Sequence, residues 1–185
     1  MQAVNLQISF RTTDGGTTWL YNPSTTLAGF LRAVSFVSAD TAIAVGDFMN
    51  PTAPTFGVTV LKTTDGGASW SRQSLLGRFG YPVYLYGISY VDPFTATAVG
   101  FDRQFTPHGL ILRTVNGGAN WMIQQSGTTE SLVGVSFIDA DNGLVVGGGT
   151  ILHTSNGGAT WPSQSGGVKA ALLGVSFVSS PCGSP

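Results

Sequence analysis

The chain has 185 residues, of which only 9% are charged, and its net charge is −1. This composition leaves no basic stripe of the kind that binds nucleic acid, and no apolar stretch approaches the ~20 residues of a membrane-spanning helix. A single cysteine, Cys182, excludes an internal disulfide. The low charge favours an extracytoplasmic β-rich protein, although Met1-Gln-Ala-Val-Asn lacks the basic start of a signal peptide.

One short motif occurs four times and contains all four tryptophans, which are separated by 51, 51 and 40 residues. A recurrence at roughly 40–50 residues in a β-rich sequence predicts propeller blades. The motif positions are Thr12, Asp14, Gly16 and Trp19, then Thr63, Asp65, Gly67 and Trp70, then Thr114, Asn116, Gly118 and Trp121, and finally Thr154, Asn156, Gly158 and Trp161.

Each repeat also contains four short strand-like runs, a to d. Run a ends in an aromatic residue, and run b ends in a glycine ten residues later, at Gly46, Gly100 and Gly147. Run c leads into the motif, and the tryptophan opens run d. Four short strands divided by Gly, Asp and Asn turns describe one propeller blade. The predicted fold class is therefore all-β, with four-stranded antiparallel blades and the motif between strands c and d.

The predicted organisation is three complete blades with a partial blade at each end. Residues 1–30 supply strands c and d with a link, complete blades occupy 31–84, 85–131 and 132–171, and residues 172–185 supply a lone strand a. The favoured interpretation is one propeller domain that is a piece of a larger propeller. The alternative is a compact four-bladed ring, in which strand 172–178 pairs with the strands in residues 4–21.

The motif has the chemistry of a self-bonded turn. The Asp or Asn side chain accepts backbone N–H groups a few residues later, and the two glycines supply backbone angles that other residues resist. Asn116 and Asn156 replace Asp in two copies. A turn tolerates this loss of charge and a metal or catalytic site does not, so we predict a structural role and no metal or cofactor.

These residues resemble the Asp-box, also called the bacterial neuraminidase repeat. The surrounding Leu-x-Gly-Val-Ser-Phe, Ala-Val-Gly and Ile-Leu-x-Thr frame is similar to the photosystem II stability and assembly factor family, over about residues 4–178. The resemblance implies a seven-bladed, non-catalytic, protein-binding scaffold connected with photosynthesis. Sialidases and some glucanases share the Asp-box, so a fragment of a secreted glycoside hydrolase that binds carbohydrate is the alternative.

Binding residues are expected on the face that carries the b–c and d–a connections, here called the loop face, because loops on a rigid scaffold usually carry binding. The b–c connections are expanded at 47–57 and 101–109, and the d–a link 78–82 joins them. The competing interpretation is ordinary loop padding. The predicted aromatic and basic patch comprises Asp47, Phe48, Phe56, Arg78, Tyr81, Asp102, Arg103, Phe105 and His108.

A second set occupies the position before the motif threonine in each repeat: Arg11, Lys62, Arg113 and His153. Two interpretations are open. The stems pack between blades with their charged ends in water, or the four form a basic arc for an acidic partner.

Catalysis is not predicted. A glycosidase needs two carboxyl groups about 5–10 Å apart, and Asp47 and Asp102 are the one conceivable pair on the loop face. The arginines and tyrosines that a sialidase needs are too few and scattered. No cluster of His, Cys and Asp has metal-ligand spacing.

Overall fold

The computed structural model describes residues 7–24, 30–49, 56–73, 75, 82–103, 108–164 and 170–178. This part of the chain contains fourteen strands and no helix, which confirms the all-β prediction. The strands are β1 Gln7–Arg11, β2 Leu20–Ser24, β3 Phe30–Phe36, β4 Ala42–Met49, β5 Phe56–Thr63, β6 Ser71–Arg72, β7 Val83–Tyr90, β8 Ala96–Asp102, β9 His108–Thr114, β10 Met122–Gln125, β11 Gly134–Phe137, β12 Gly143–Gly147, β13 Thr150–Thr154 and β14 Ser163–Gln164.

The strands form four antiparallel sheets, each paired in simple chain order. Blade 1 is the pair β1-β2, blade 2 is β3-β4-β5-β6, blade 3 is β7-β8-β9-β10 and blade 4 is β11-β12-β13-β14. These are the predicted strands c and d followed by three complete sets of a to d. Residues 172–178, predicted as a further strand a, pair with no strand among the described residues, including β1 and β2.

The core lies between sheets, where the apolar face of one blade covers the next. Ile43 and Val60 of blade 2 pack in one cluster with Leu85 and Trp121 of blade 3. A second cluster joins blades 3 and 4 and contains Trp161. Each large apolar side chain contributes roughly 1.5–3 kcal/mol to the folding free energy when it is fully buried. Because these side chains lie between sheets, neighbouring blades stabilise one another.

Burial of the motif tryptophans depends on the preceding blade. Trp121 and Trp161 are 5% and 7% exposed, whereas Trp19 is 60% exposed. Trp19 therefore does not pack between blades as Trp121 and Trp161 do. The physical reason is that no described strand lies on the side of blade 1 that corresponds to the preceding blade.

A serine in each strand a links neighbouring blades near the propeller axis. The Ser35 hydroxyl oxygen accepts the Tyr90 N–H at 3.1 Å, and the Ser89 oxygen accepts the Phe137 N–H at 3.1 Å. The Ser136 oxygen accepts the Phe177 N–H at 2.8 Å. Residues 170–178 therefore lie where the strand a of a following blade belongs, although they form no ladder.

All four motifs form the predicted turn. In the second copy, the Thr63 hydroxyl donates to Asp65 at 2.8 Å and accepts the Gly67 N–H at 2.8 Å. Asp65 also accepts the backbone N–H and the hydroxyl of Ser69, at 2.8 and 2.6 Å. Both glycines of every motif have positive φ, between 65° and 94°, which residues with side chains rarely adopt.

The motif turn also docks on the a–b turn of its own blade. The first glycine of the pair donates its N–H to that turn in each complete blade: Gly66 to the Asp40 carbonyl, Gly117 to that of Phe94 and Gly157 to that of Asp141, at 2.8–3.0 Å. The c–d and a–b turns therefore lie together, on the face opposite the loop face. We call it the motif face.

The Asp motifs make folding sensitive to acid. Hydrogen bonds from the Ser69 hydroxyl and N–H lower the pKa of Asp65 from 3.8 to about 2, and the equivalent bonds from Thr18 lower that of Asp14 to about 2. A lowered folded-state pKa adds stability above pH 3.8 that is lost as the pH falls towards 2. Asp65→Asn should therefore reduce the fall in the urea-unfolding midpoint between pH 5 and pH 2.

The reverse substitution is the matched control. Asn156→Asp should increase the same fall, because Thr160 offers the new carboxylate its N–H and hydroxyl as Ser69 does in the second motif. An equal fall in wild type and both variants would contradict this account.

The serine hydrogen bond between blades makes a measurable contribution to the free energy of unfolding. Ser89→Ala removes the acceptor of the Phe137 N–H, and an unsatisfied amide in this interface costs about 1–2 kcal/mol in the free energy of unfolding. Ser163→Ala, at an exposed position of β14, should cost less than about 0.5 kcal/mol. Urea unfolding of both variants measures the difference, and equal losses would sink the assignment.

Candidate functional site

A β-bulge begins strand a of blades 2 and 3 at the loop face. The register with strand b shifts between Leu31 and Ala33 and again between Leu85 and Gly87, so that Arg32 and Tyr86 are the extra residues. A glycine within strand b permits this shift. A side chain at Gly46 would overlap the Phe30 carbonyl oxygen, and a side chain at Gly100 would overlap that of Tyr84.

The two bulge residues meet between the blades in what we call the Arg32 cluster, defined by Arg32, Asp47, Tyr84 and Tyr86. The Arg32 Nε donates to the Asp47 carboxylate, and its guanidinium carbon lies 5.3 Å from the Tyr86 ring centroid. Tyr84 stacks on Tyr86 with ring centroids 6.3 Å apart and an interplanar angle of 2°. The cluster is a preformed surface of aromatic rings around a fixed guanidinium.

The Arg32 cluster pairs a buried carboxylate with a partly exposed guanidinium. Asp47 is 8% exposed, whereas the Arg32 side chain is 39% exposed. The hydrogen bond with Asp47 raises the pKa of Arg32, and burial raises the pKa of Tyr86. The arginine stays charged, held by its Nε, while its two terminal nitrogens have no hydrogen-bond acceptor among the described residues.

Sequence reasoning missed Arg32, Tyr84 and Tyr86 as binding residues. The repeat alignment carried a signal, because the residue after the first leucine of strand a is Arg32, Tyr86, Val133 and Leu173 in successive repeats. This position varies widely inside a frame that otherwise repeats closely. Such variation indicates that the blade fold does not require a particular residue at this position.

The predicted loop residues lie partly on strands. Asp47 and Phe48 belong to β4, Phe56 begins β5, Asp102 ends β8 and His108 begins β9. The b–c connections are therefore shorter than predicted, because the antiparallel ladder continues to Met49↔Phe56 and Asp102↔His108. Arg103 is exposed. Arg78, Tyr81, Phe105 and the side chains of Phe48 and Phe56 lie outside the described residues.

Asp47 and Asp102 on the loop face each have a basic neighbour. Asp47 pairs with Arg32, and the Asp102 carboxylate lies 3.8 Å from His108 Nδ1 and accepts the His108 N–H at 3.2 Å. The hydrolytic pair Asp47–Asp102 stays a prediction. No described group of three His, Cys, Asp or Glu side chains is arranged to hold a metal ion. In the same part of the chain, no helix has the length and hydropathy to cross a membrane.

Two of the basic residues before the motif threonine, Lys62 and Arg113, reach the next blade. Lys62 Nζ donates to the Gly117 carbonyl of the following motif at 2.8 Å. Arg113 donates to the Ala140 carbonyl of blade 4 and to Thr97 at 2.9 Å, and its guanidinium lies 5.1 Å from the Phe137 ring centroid. Arg11 and His153 are half-buried.

Arg113 is 5% exposed, and burial lowers its pKa against the opposing charges of Asp141 and Asp92. The charged end of Arg113 is thus bonded between blades and not in water. The charged end of Lys62 is likewise bonded to the next blade. Partner binding by the four cations stays a prediction, and the contacts of Lys62 and Arg113 give these two a role in blade packing.

Comparisons with known proteins place the fold. No protein-family model and no curated protein matches the chain. Among solved structures it is similar to YCF48 bound to D1 peptide, with a TM-score of 0.59 and 18% identity over 75% of this chain and 40% of that chain. It is also similar to YCF48 from Cyanidioschyzon merolae, with a TM-score of 0.57 and 20% identity over 80% and 42%.

The chain therefore spans about two fifths of the length of these YCF48 chains. They are propellers of the photosystem II assembly factor type, and the likeness confirms at the level of fold the resemblance drawn from the sequence.

Arg113 and Lys62 should differ in their effect on stability. Arg113→Ala leaves the Ala140 carbonyl and the Thr97 hydroxyl without this donor and opens a space between blades, which should lower the free energy of unfolding by about 2–4 kcal/mol. Lys62→Ala removes one bond at a half-buried position and should cost about 1 kcal/mol. Urea denaturation followed by tryptophan fluorescence compares them, and an equal or smaller loss for Arg113→Ala contradicts the assignment.

Proposed function

We propose that the chain is a non-catalytic protein-binding scaffold, similar in role to the photosystem II assembly factors, which holds a polypeptide partner on its loop face at an extracytoplasmic or envelope location. The observation that carries the proposal is the Arg32 cluster. It combines two stacked tyrosines with a guanidinium whose terminal nitrogens lack acceptors among the described residues. Tyr and Arg are enriched at protein interfaces, where they supply most of the binding energy.

The position of the cluster supports the same proposal. It lies at the inner ends of two adjacent sheets, where the bulges fix both side chains before a partner arrives. Preorganisation of this kind lowers the entropic cost of binding. Arg103 lies close enough to affect the pKa of Tyr86, and it extends the basic surface towards blade 3.

A peptide is the proposed class of partner. One of the similar propellers is described as bound to D1 peptide, and an aromatic and basic surface suits an extended polypeptide with carbonyl and carboxylate groups. The alternative in which Asp47 acts in glycoside hydrolysis gains no support from its pairing with Arg32, because that contact already occupies the carboxylate.

The experiment is a titration of the protein against a fluorescent D1 peptide. Wild type should bind, and Arg32→Gln should weaken binding at least ten-fold, because charge-assisted hydrogen bonds contribute about 1.5–3 kcal/mol. Arg72→Gln removes the same charge from the outer strand of the same blade and should leave the affinity unchanged.

Removing Arg32 leaves Asp47 buried without its cation, so the thermal unfolding of each variant is measured alongside. Arg103→Gln, at an exposed position, provides a second test and should weaken binding several-fold without loss of stability. Absence of binding by wild type, or equal affinities for the Arg32 and Arg72 variants, refutes the proposal.

A further inference from the structure

A second feature of the loop face is a recess at the end of blade 3, with a volume of about 600 Å³. It lies between the ends of β8, β9 and β10 and residues 126–129, and the Arg32 cluster takes no part in it. The volume falls within the roughly 300–1,000 Å³ of small-ligand sites. The side chains that matter here are Asp102, His108, Leu110, Ile123, Gln125 and Ser126.

The walls of the recess are fixed by backbone contacts. The Gly109 N–H donates to the Thr128 carbonyl at 2.9 Å, which holds residues 126–129 against the start of β9. A side chain at Gly109 would lie 2.6 Å from the Glu130 carbonyl oxygen, so only glycine permits this approach. Gly127 turns the segment with a φ of +69°. The recess is thus built into the sheet end and does not depend on side-chain rearrangement.

The charge of the recess is not balanced. Asp102 is 9% exposed, and its Oδ1 accepts the His108 N–H at 3.2 Å. Its Oδ2 has no hydrogen-bond donor among the described residues, and the described lining contains no lysine or arginine. The His108 imidazole, 3.8 Å from Oδ1 and about half exposed, is the one titratable base beside it in that lining. A buried carboxylate is costly unless a cation pairs with it.

We propose that the recess binds a cationic side chain of a polypeptide partner, with Asp102 as the residue that pairs with it. An arginine suits the site best, because its planar guanidinium can donate to a carboxylate through two parallel bonds. Its aliphatic stem would lie against Leu110 and Ile123, with the exposed Gln125 at the rim and the buried Ser126 deeper in the wall.

This proposal rests on the proposed function in so far as the cation belongs to a partner protein. It adds a second, oppositely charged subsite to the Arg32 cluster. A partner that places an acidic or carbonyl group on Arg32 and a basic side chain on Asp102 would have one orientation across blades 2 and 3.

The test uses the full chain and two small probes, N-acetyl-arginine N-methylamide and its neutral citrulline analogue, in an NMR titration. The arginine probe should bind at least ten-fold more tightly than the citrulline probe, because the two differ chiefly in charge. Asp102→Asn keeps an oxygen for the His108 N–H and should reduce the affinity for the arginine probe to that for citrulline. Asp40→Asn removes an equal charge from an exposed turn on the motif face and should change neither affinity.

Equal affinity for the two probes in wild type would overturn the proposal, since the carboxylate would then not select a cation. Equal affinity of wild type and Asp102→Asn for the arginine probe would overturn it as well. Neither result depends on the D1 peptide. Failure of peptide binding would refute the proposed function while leaving the probe measurement intact, so the two failures are distinguishable.

Discussion

The hydrogen bond from the motif glycine N–H to the motif threonine hydroxyl is the interaction on which the rest of the structure depends. It recurs in all four repeats, at 2.8–3.0 Å. By closing the c–d turn, it presents the first glycine to the a–b turn and the tryptophan to the neighbouring sheet. Asp and Asn serve equally because both offer the oxygen that caps the turn.

The loop face follows from a second constraint, the close approach of strand a to a glycine within strand b. At Gly46 and Gly100 the opposing carbonyl occupies the space of a side chain, and the register slips by one residue. A bulge redirects the side chain of the extra residue. In blade 2 that residue is Arg32 and in blade 3 it is Tyr86, so two neighbouring irregularities bring a cation over a ring. The scaffold thus provides the geometry while the sequence of each repeat provides the chemistry.

Repetition explains how much could be predicted from sequence. The strand order, the turn chemistry and the two faces depend on local backbone preferences, which four copies of one motif repeat. The Arg32 cluster was not predicted, because it depends on a register shift whose trace in the sequence is the variation of a single strand-a position between repeats. The burial of Arg113 differs from that of its equivalent His153 because their neighbours differ. Trp19 shares its motif with Trp161 and is nevertheless exposed, since burial depends on a blade distant in sequence.

Contacts between the three complete blades that the structure describes join one sheet to the next, through a serine near the axis, the tryptophan and a cation at the motif. A chain of this kind behaves as a one-dimensional array, in which stability is a sum of unit and nearest-neighbour terms. Blade 3 packs against a four-stranded sheet on either side, so its nearest-neighbour contacts are the most extensive among the described blades. Local opening should therefore cost the most free energy at blade 3. The Arg32 cluster lies at the boundary of blades 2 and 3, beside this most stable unit.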